Sequence, residues 1–432
     1  GVISRERLDD AVARVLRLKY RLGLFETPVM NSEWPLVGSK EFAQMAYDAA
    51  VESEILLKNS GILPLDKDTR ILVTGPNGNS MRCLNGGWSY TWQGTNNPKY
   101  VERYNTIFEA MKNKFPSTRY VAGVSYIEDW AGQDEDASGI ADAVRAARDC
   151  DVILACIGEN SYCETPGNIN DLTLSANQIN LVKALAGTGK PIILILNEGR
   201  PRVINAIEPI ADAIVDILLP GNYGADALAA LICGEENFSG KLPFTYPVKL
   251  EDSPAYATGS YPQTDAPIAE DIFVALVGEK SQDELINGSS NRTTALYAED
   301  LLVGYRWFDT KNVRPMYPFG HGLSYTTFEY SDLKATKEKY SEKENIEVSF
   351  ILKNTGKVDA DETAIGFVPK AEDINLEGIE DEVSAAQLEE LLSVDVALWK
   401  DEVAGIEEFY GKFDRLPEAL KAELATLKAN IQ

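Results

Sequence analysis

Asp151 opens a stretch in which Val152-Ile153-Leu154-Ala155-Cys156-Ile157 is an unbroken apolar run closed by Gly158. A short solid run of this kind reads as a strand with both faces buried rather than one half-exposed to water. Similar runs lie at 70–74 (ending in Gly75), 191–196 and 212–218, with an apolar stretch at 55–57 and a strand pattern near 119–124. Helical patterns separate them, over 39–53, 105–114, the Ala-rich 136–149, 175–187, 201–208 and 223–233. Strand–helix alternation with solid strands predicts an α/β fold built on a mainly parallel six-stranded sheet, covered on both sides. Ligands of such sheets bind beyond the carboxyl ends of the strands, which directs attention to the loops after residues 74, 157, 196 and 218.

Outward from this block the pattern changes. Residues 4–25 read as one amphipathic helix, with Ser4 as cap and Glu6, Asp9 and Asp10 near its N-terminus. Leu8, Val12, Val15, Leu16 and Leu22 form its apolar stripe, and Gly23 and Pro28 stop it. A lone helix cannot bury such a stripe, so it reads as the last piece of a domain lying upstream. Residues 251–300 read as a connecting segment. From 328 to 369 the signal is all-β, with Ile346, Val348, Phe350 and Leu352 alternating before the turn Asn354-Thr355-Gly356. This suffices for three or four strands, short of the roughly seven in a complete sandwich. Residues 371–432 carry 16 Asp and Glu against 5 Lys and Arg. Helices fit 384–393, 396–410 and 417–430, with Ser384 and Asp395 as caps and Pro417 at a first turn. Their apolar positions, Trp399, Ile406 and Phe409 among them, indicate a packed helical tail rather than a solvated one.

The 432 residues are 44% hydrophobic and 25% charged, the composition of an ordinary globular protein. No apolar run reaches the ~18 residues of a membrane-spanning helix. A formal charge of −26 with a single histidine argues against nucleic acid and anionic membranes as partners, and fits a neutral ligand such as a sugar. The five cysteines include no CxxC, so no metal cluster is expected. The chain starts at Gly1 rather than Met, and the expectation is of an excised piece whose compartment stays open.

Two of the loops past the strands hold candidate chemistry. Gly158-Glu159-Asn160-Ser161-Tyr162-Cys163-Glu164-Thr165-Pro166-Gly167-Asn168 puts two carboxylates, an aromatic and two glycines at the end of a strand. It reads either as an acid/base loop or as a polar turn with two solvated glutamates, and composition alone favours the turn. After strand 70–74 come Gly75-Pro76-Asn77-Gly78-Asn79 and then Gly86-Gly87-Trp88-Ser89-Tyr90-Thr91-Trp92-Gln93-Gly94. The phosphate-binding reading is weak, since neither GxGxxG nor a following Lys-Ser/Thr is present. Two tryptophans among glycines instead suit the apolar faces of pyranose rings.

Several of these stretches resemble glycoside hydrolase family 3. They are Ser53-Glu54-Ile55-Leu56-Leu57-Lys58-Asn59 with Leu63-Pro64-Leu65, Gly86-Gly87-Trp88 to Trp92-Gln93-Gly94, Gly199-Arg200-Pro201, Leu219-Pro220-Gly221 and Ser239-Gly240-Lys241-Leu242-Pro243. Gly304-Tyr305-Arg306-Trp307-Phe308-Asp309 and Pro318-Phe319-Gly320-His321-Gly322-Leu323-Ser324-Tyr325 look like the approach to that family's fibronectin-III-like domain. Arg14, Leu18-Lys19 and Gly23-Leu24-Phe25 are similar to the end of its (β/α)8 barrel. The resemblance covers residues 1 to about 369. It divides the chain into 1–31 (last barrel helix), 32–250 (α/β sandwich), 251–327 (connecting segment) and 328–369 (partial fibronectin-III-like domain), leaving 370–432 as a helical tail. It implies retaining hydrolysis of terminal β-D-glucosidic bonds, with a β-linked oligosaccharide or glycoside as partner and no cofactor or metal. The acid/base falls on Glu164, with Glu159 the weaker candidate, and Trp92 and Trp88 flank the sugar. The family's usual Asp after the loop glycine is Asn168 here. The nucleophile, an aspartate of the barrel, is absent from this chain, so the isolated chain is expected to be inactive. The family implies a periplasmic or extracellular setting and leaves homo-oligomerisation open.

The tail departs from that family. Leu391-Leu392-Ser393-Val394-Asp395, Trp399, Glu407-Glu408-Phe409, Lys412-Phe413 and Arg415-Leu416-Pro417 resemble the C-terminal helices of GTP-dependent phosphoenolpyruvate carboxykinase, without its catalytic motifs. His321 lies in a turn and is not expected to be catalytic. Three readings therefore stand: a partial β-glucosidase-type hydrolase, with β-xylosidase as its variant; a non-catalytic carbohydrate-binding or scaffolding protein; and a carboxykinase relative.

Overall fold

The computed structural model describes residues 3–26, 35–95, 101–127, 134–164, 167, 169, 171–257, 302–335 and 348–362. The run that opened the sequence analysis forms the centre of a six-stranded sheet. In chain order the strands are β1 (Ile55–Asn59), β2 (Ile71–Thr74), β3 (Arg119–Tyr120), β6 (Val152–Gly158), β7 (Ile192–Asn197) and β8 (Ala213–Asp216), with the short β4 (Ser125–Tyr126) and β5 (Glu135–Asp136) pairing apart. Their order across the sheet is β1-β8-β7-β6-β2-β3. All neighbours are parallel except β1 and β8, where Ile55 faces Asp216 in antiparallel register.

Residue parity explains why the strands are solidly apolar. Val152, Leu154 and Cys156 of β6, Ile193 and Ile195 of β7, and Ala213 and Val215 of β8 enter one core layer. Ile153, Ala155 and Ile157, then Ile192, Leu194 and Leu196, then Ile214 enter the other. Helices α3 (Met81–Asn85), α4 (Ile107–Lys114) and α7 (Gly224–Ile232) cover the first layer, and α5 (Ile140–Ala147) and α6 (Ala176–Ala186) the second. Local signals set the helix starts. Ser39 caps α2 (Lys40–Ser53), and Thr106 and Glu109 form a reciprocal capping box on α4.

Two expectations need correction. No helix forms over 201–208, because its backbone N–H groups are used elsewhere. Arg202 N donates to Glu198 Oε1 (3.0 Å) and Val203 N to Leu172 O (2.8 Å), leaving only a single 3₁₀ turn at Glu208–Ile210. The strand read over 119–124 stops at Tyr120, and Gly123 then turns with φ +70°.

The outer side of β1 is covered. Leu323 N donates to Leu56 O (2.8 Å), and His321 Nε2 lies 2.8 Å from Leu57 O. Residues 316–320 in turn pair with 242–246, through Tyr246 N to Tyr317 O and Gly320 N to Leu242 O. Part of the segment read as a connector thus seals the edge of the sheet, and His321, stacked on Tyr317, is one of its fastenings. Helix α1 (Arg5–Arg21) is capped by Ser4, buries none of its residues and leaves Leu8, Val12, Val15 and Leu16 exposed. Helix α8 (Tyr305–Lys311) precedes β9 (Phe328–Ala335) and β10 (Val348–Asn354), an antiparallel pair with a register shift between Ser349 and Ile351. Most of the 251–300 segment, Ile346, residues 363–369 and the helices expected after 383 lie outside the described residues.

Candidate active site

The chain order of the strands reverses at the β2–β6 junction, the place in such sheets where ligands bind beyond the strand ends, and the loops leaving these two strands meet there. The floor beneath these loops is closed by backbone and amide groups. A Cβ on Gly75 would lie 2.1 Å from Cys156 O, and one on Gly158 would lie 2.1 Å from Asn197 O. Asn77 Nδ2 donates to Glu159 O (3.0 Å) and Asn197 Oδ1 (3.1 Å), while Tyr126 OH donates to Asn77 Oδ1 (3.1 Å). The loop at 75–79 therefore spends its polar groups on neighbouring chain, not on a phosphate cradle.

Above this floor the tryptophan loop and the glutamate loop are laced together. Arg82 Nε donates to Ser161 Oγ (2.7 Å), which donates to Gln93 O (2.6 Å). Gln93 then pairs with the backbone of Cys163 in both directions, its Nε2 donating to Cys163 O (3.1 Å) and its Oε1 accepting from Cys163 N (3.2 Å). Cys163 Sγ reaches Trp92 O at 3.0 Å, and Trp88 N donates to Trp92 O at 2.9 Å. The glycines allow this approach, since a Cβ at Gly87 or Gly94 would lie 2.6 Å from Tyr162 O or Ser161 Oγ. Trp88 (64% exposed) and Trp92 (36%) are left accessible on the same platform as Glu164.

The two candidate glutamates meet opposite fates. Glu164 sits in the left-handed region, φ +52°, in a turn closed by Gly167 N donating to Glu164 O (2.9 Å). It is exposed, and among the described residues no donor is bonded to its carboxyl group. Burial of Cys163 and then the charge of Glu164 push the Cys163 thiol up. Glu159 is 5% exposed and fully engaged. Its Oε1 accepts from Arg200 Nε (2.9 Å) and Arg202 Nη1 (3.1 Å), and its Oε2 from Tyr162 OH (3.1 Å) and Gly199 N (3.2 Å). Burial, then the Glu159 charge, raise the Tyr162 hydroxyl well above the usual tyrosine range.

A second acidic group lies deeper. Tyr246 OH donates to Glu198 Oε1 (2.7 Å) and lies 2.9 Å from Asp216 Oδ2, while neither oxygen of the fully buried Glu54 has a hydrogen-bond partner among the described residues. Burial pushes all three carboxyls up, Asp216 to about 7, and the charge of Asp216 raises Glu54 and Glu198 further. Sequence reading missed this trio, as well as Arg200, Arg202 and Gln93. Arg200 stood within Gly199-Arg200-Pro201, and that motif was the available signal. No group of His, Cys, Asp and Glu among the described residues has the arrangement of a metal site. No helix there is long and apolar enough to cross a membrane.

A family model described as the glycosyl hydrolase family 3 C-terminal domain matches residues 54–325. A second, the phosphoenolpyruvate carboxykinase C-terminal P-loop domain, matches residues 333–430. The chain is 33% identical over 347 residues to the lysosomal beta glucosidase of Dictyostelium discoideum, across 78% of this chain and 36% of that protein. It is 33% identical over 382 residues to beta-glucosidase BoGH3A of Bacteroides ovatus, across 83% and 45%. Among solved structures, the beta-glucosidase of Listeria innocua in complex with glucose is similar with a TM-score of 0.60 and 26% identity, over 82% of this chain and 44% of that one. The chain thus spans less than half the length of these relatives.

Proposed function

The chain belongs to glycoside hydrolase family 3, and we propose that it carries the proton-donor side of a retaining β-glucosidase whose nucleophile lies outside it. The carrying observation is the platform that holds Glu164 exposed beside Trp88 and Trp92 at the carboxyl end of β6. In this reading Glu164 gives its proton to the glycosidic oxygen as the bond to the anomeric carbon breaks. It then takes a proton from the water that hydrolyses the glycosyl-enzyme, and the carboxylate partner stands about 5–5.5 Å away across the sugar. The indole of Trp92, with Trp88 as a wall, offers its face to the apolar side of the leaving sugar. Glu159 is unsuited to proton transfer because both oxygens already accept from four donors. The strands β9 and β10 belong in this reading to the start of a fibronectin-III-like domain.

The test joins this chain to the barrel domain of a relative and compares aryl β-glucosides of graded leaving-group acidity. Glu164→Ala is expected to slow poor leaving groups by about 10²–10⁴-fold and activated ones far less, since only the former need the proton. Equal losses on both kinds of substrate, or a product of inverted configuration, reject the assignment. The 432-residue chain alone is expected to show no turnover.

A further inference from the structure

We infer that Arg200 is a positioning residue for the proton donor, a single guanidinium that holds both arms of the loop carrying Glu164. The inference rests on the reading of Glu164 as acid/base. Arg200 Nε donates to Glu159 Oε1 (2.9 Å) at the start of the loop. Nη1 donates to Gly167 O (2.7 Å) at its end. Between them the guanidinium carbon lies 4.0 Å from the centroid of the Tyr162 ring. Arg200 therefore touches the loop at its beginning, middle and end without touching Glu164 itself.

Four features make this a clamp on Glu164 rather than general support. Glu164 occupies a left-handed conformation that an L-residue keeps only when its surroundings impose it. The turn imposing it is closed by Gly167, whose carbonyl is the group Arg200 grips. A Cβ on Gly167 would lie 2.4 Å from the Tyr162 ring, so this arm rests directly on the aromatic that Arg200 stacks against. Finally, Glu159 keeps Arg202, Tyr162 and Gly199 as partners when Arg200 is removed, so the loss frees the far arm without orphaning a buried charge. Lysine cannot substitute, because two divergent N–H groups and a planar stacking face are needed together.

The test is amide hydrogen exchange on the 432-residue chain. Arg200→Gln and Arg200→Lys are each expected to speed exchange at Cys163 and Gly167 by about tenfold or more, with β6 and β7 amides and the melting temperature unchanged. Unchanged loop exchange, full rescue by lysine, or acceleration spread equally over β6 and β7 overturns the clamp. In the barrel-joined enzyme, Arg200→Gln should reproduce the leaving-group pattern of Glu164→Ala in weaker form, about tenfold on poor leaving groups and much less on activated ones. Equal loss on both substrates also overturns it. If Glu164→Ala keeps its leaving-group dependence in that experiment, the failure lies in the clamp. If it does not, the failure lies in the assignment of Glu164.

Discussion

Asp216 offers the sharpest test of the buried acidic group. Its carboxyl faces Tyr246 OH at 2.9 Å and Leu218 N at 3.0 Å, with Glu54 and Glu198 the nearest further acids and the Glu159–Arg202 pair beyond Glu198. Burial raises its pKa from 3.8 to about 7. The native state therefore keeps a proton that the unfolded chain releases above pH 4, so stability falls as pH rises through 4–7. Each such pH unit costs at most about 1.4 kcal/mol. Relaxation around the charged form lowers this, and the expected loss between pH 5 and pH 7 is about 2 kcal/mol, or roughly 4–8 °C in melting temperature. The ion pair of Asp151 with Arg70, which draws Asp151 down to about 2, is fully formed throughout that window and does not contribute. Calorimetric or circular-dichroism melts of the chain at pH 5, 6, 7 and 8, at constant ionic strength, measure the slope. Asp216→Asn should make it shallower, leaving the part that the buried Glu54 and Glu198 carboxyls, also raised by burial, contribute. A parallel series at high salt separates out self-repulsion of the −26 chain, which salt screens while leaving the buried group untouched. A melting temperature that rises with pH over this range, or an equal slope in Asp216→Asn, refutes the reasoning.

Glu159→Ala leaves Arg200 and Arg202 facing one another with no carboxylate between them, and should lower stability by about 3 kcal/mol or more in urea melts. Gly75→Ala and Gly61→Ala form a matched pair, both glycines having φ +96°. The first meets Cys156 O at 2.1 Å and should yield little folded protein, whereas the second meets open space and should cost only about 1 kcal/mol. Among the described residues the two core layers draw their side chains from 51–246 and from Met316, Tyr317 and Tyr325, and deletion of 371–432 is expected to move the melting temperature of this domain by less than about 2 °C. A drop of many degrees would make the tail a structural part of it.

Much of this architecture was legible because it rests on near neighbours in the chain. The strand at 152–158 could be read from seven consecutive small and apolar residues, since a strand packed on both faces has no position that tolerates charge. Ser4 announced the start of α1 through a hydrogen bond that spans only three residues, and the structure shows Ser39 and Thr106 capping α2 and α4 in the same way. The helix expected over 201–208 failed for the opposite reason. Its periodicity was real, but Val203 N and Arg202 N found partners at Leu172 and Glu198 that no window of local sequence contains.

The sequence by itself determined which loops would matter, because the carboxyl ends of parallel strands follow from the strand pattern alone, and it brought Trp88, Trp92, Glu159 and Glu164 forward as candidates. Only the tertiary structure set the surroundings of the two glutamates apart. They stand five residues apart in one loop, yet Glu159 is turned inward onto Arg200 and Arg202 while Glu164 is left exposed in a strained turn. Likewise, nothing local marks Glu54, Glu198 and Asp216 as buried together. They meet because β1 runs antiparallel to β8 and β7 lies beside it, and a sheet's strand order is fixed by packing across the whole domain, beyond the reach of any short stretch of chain.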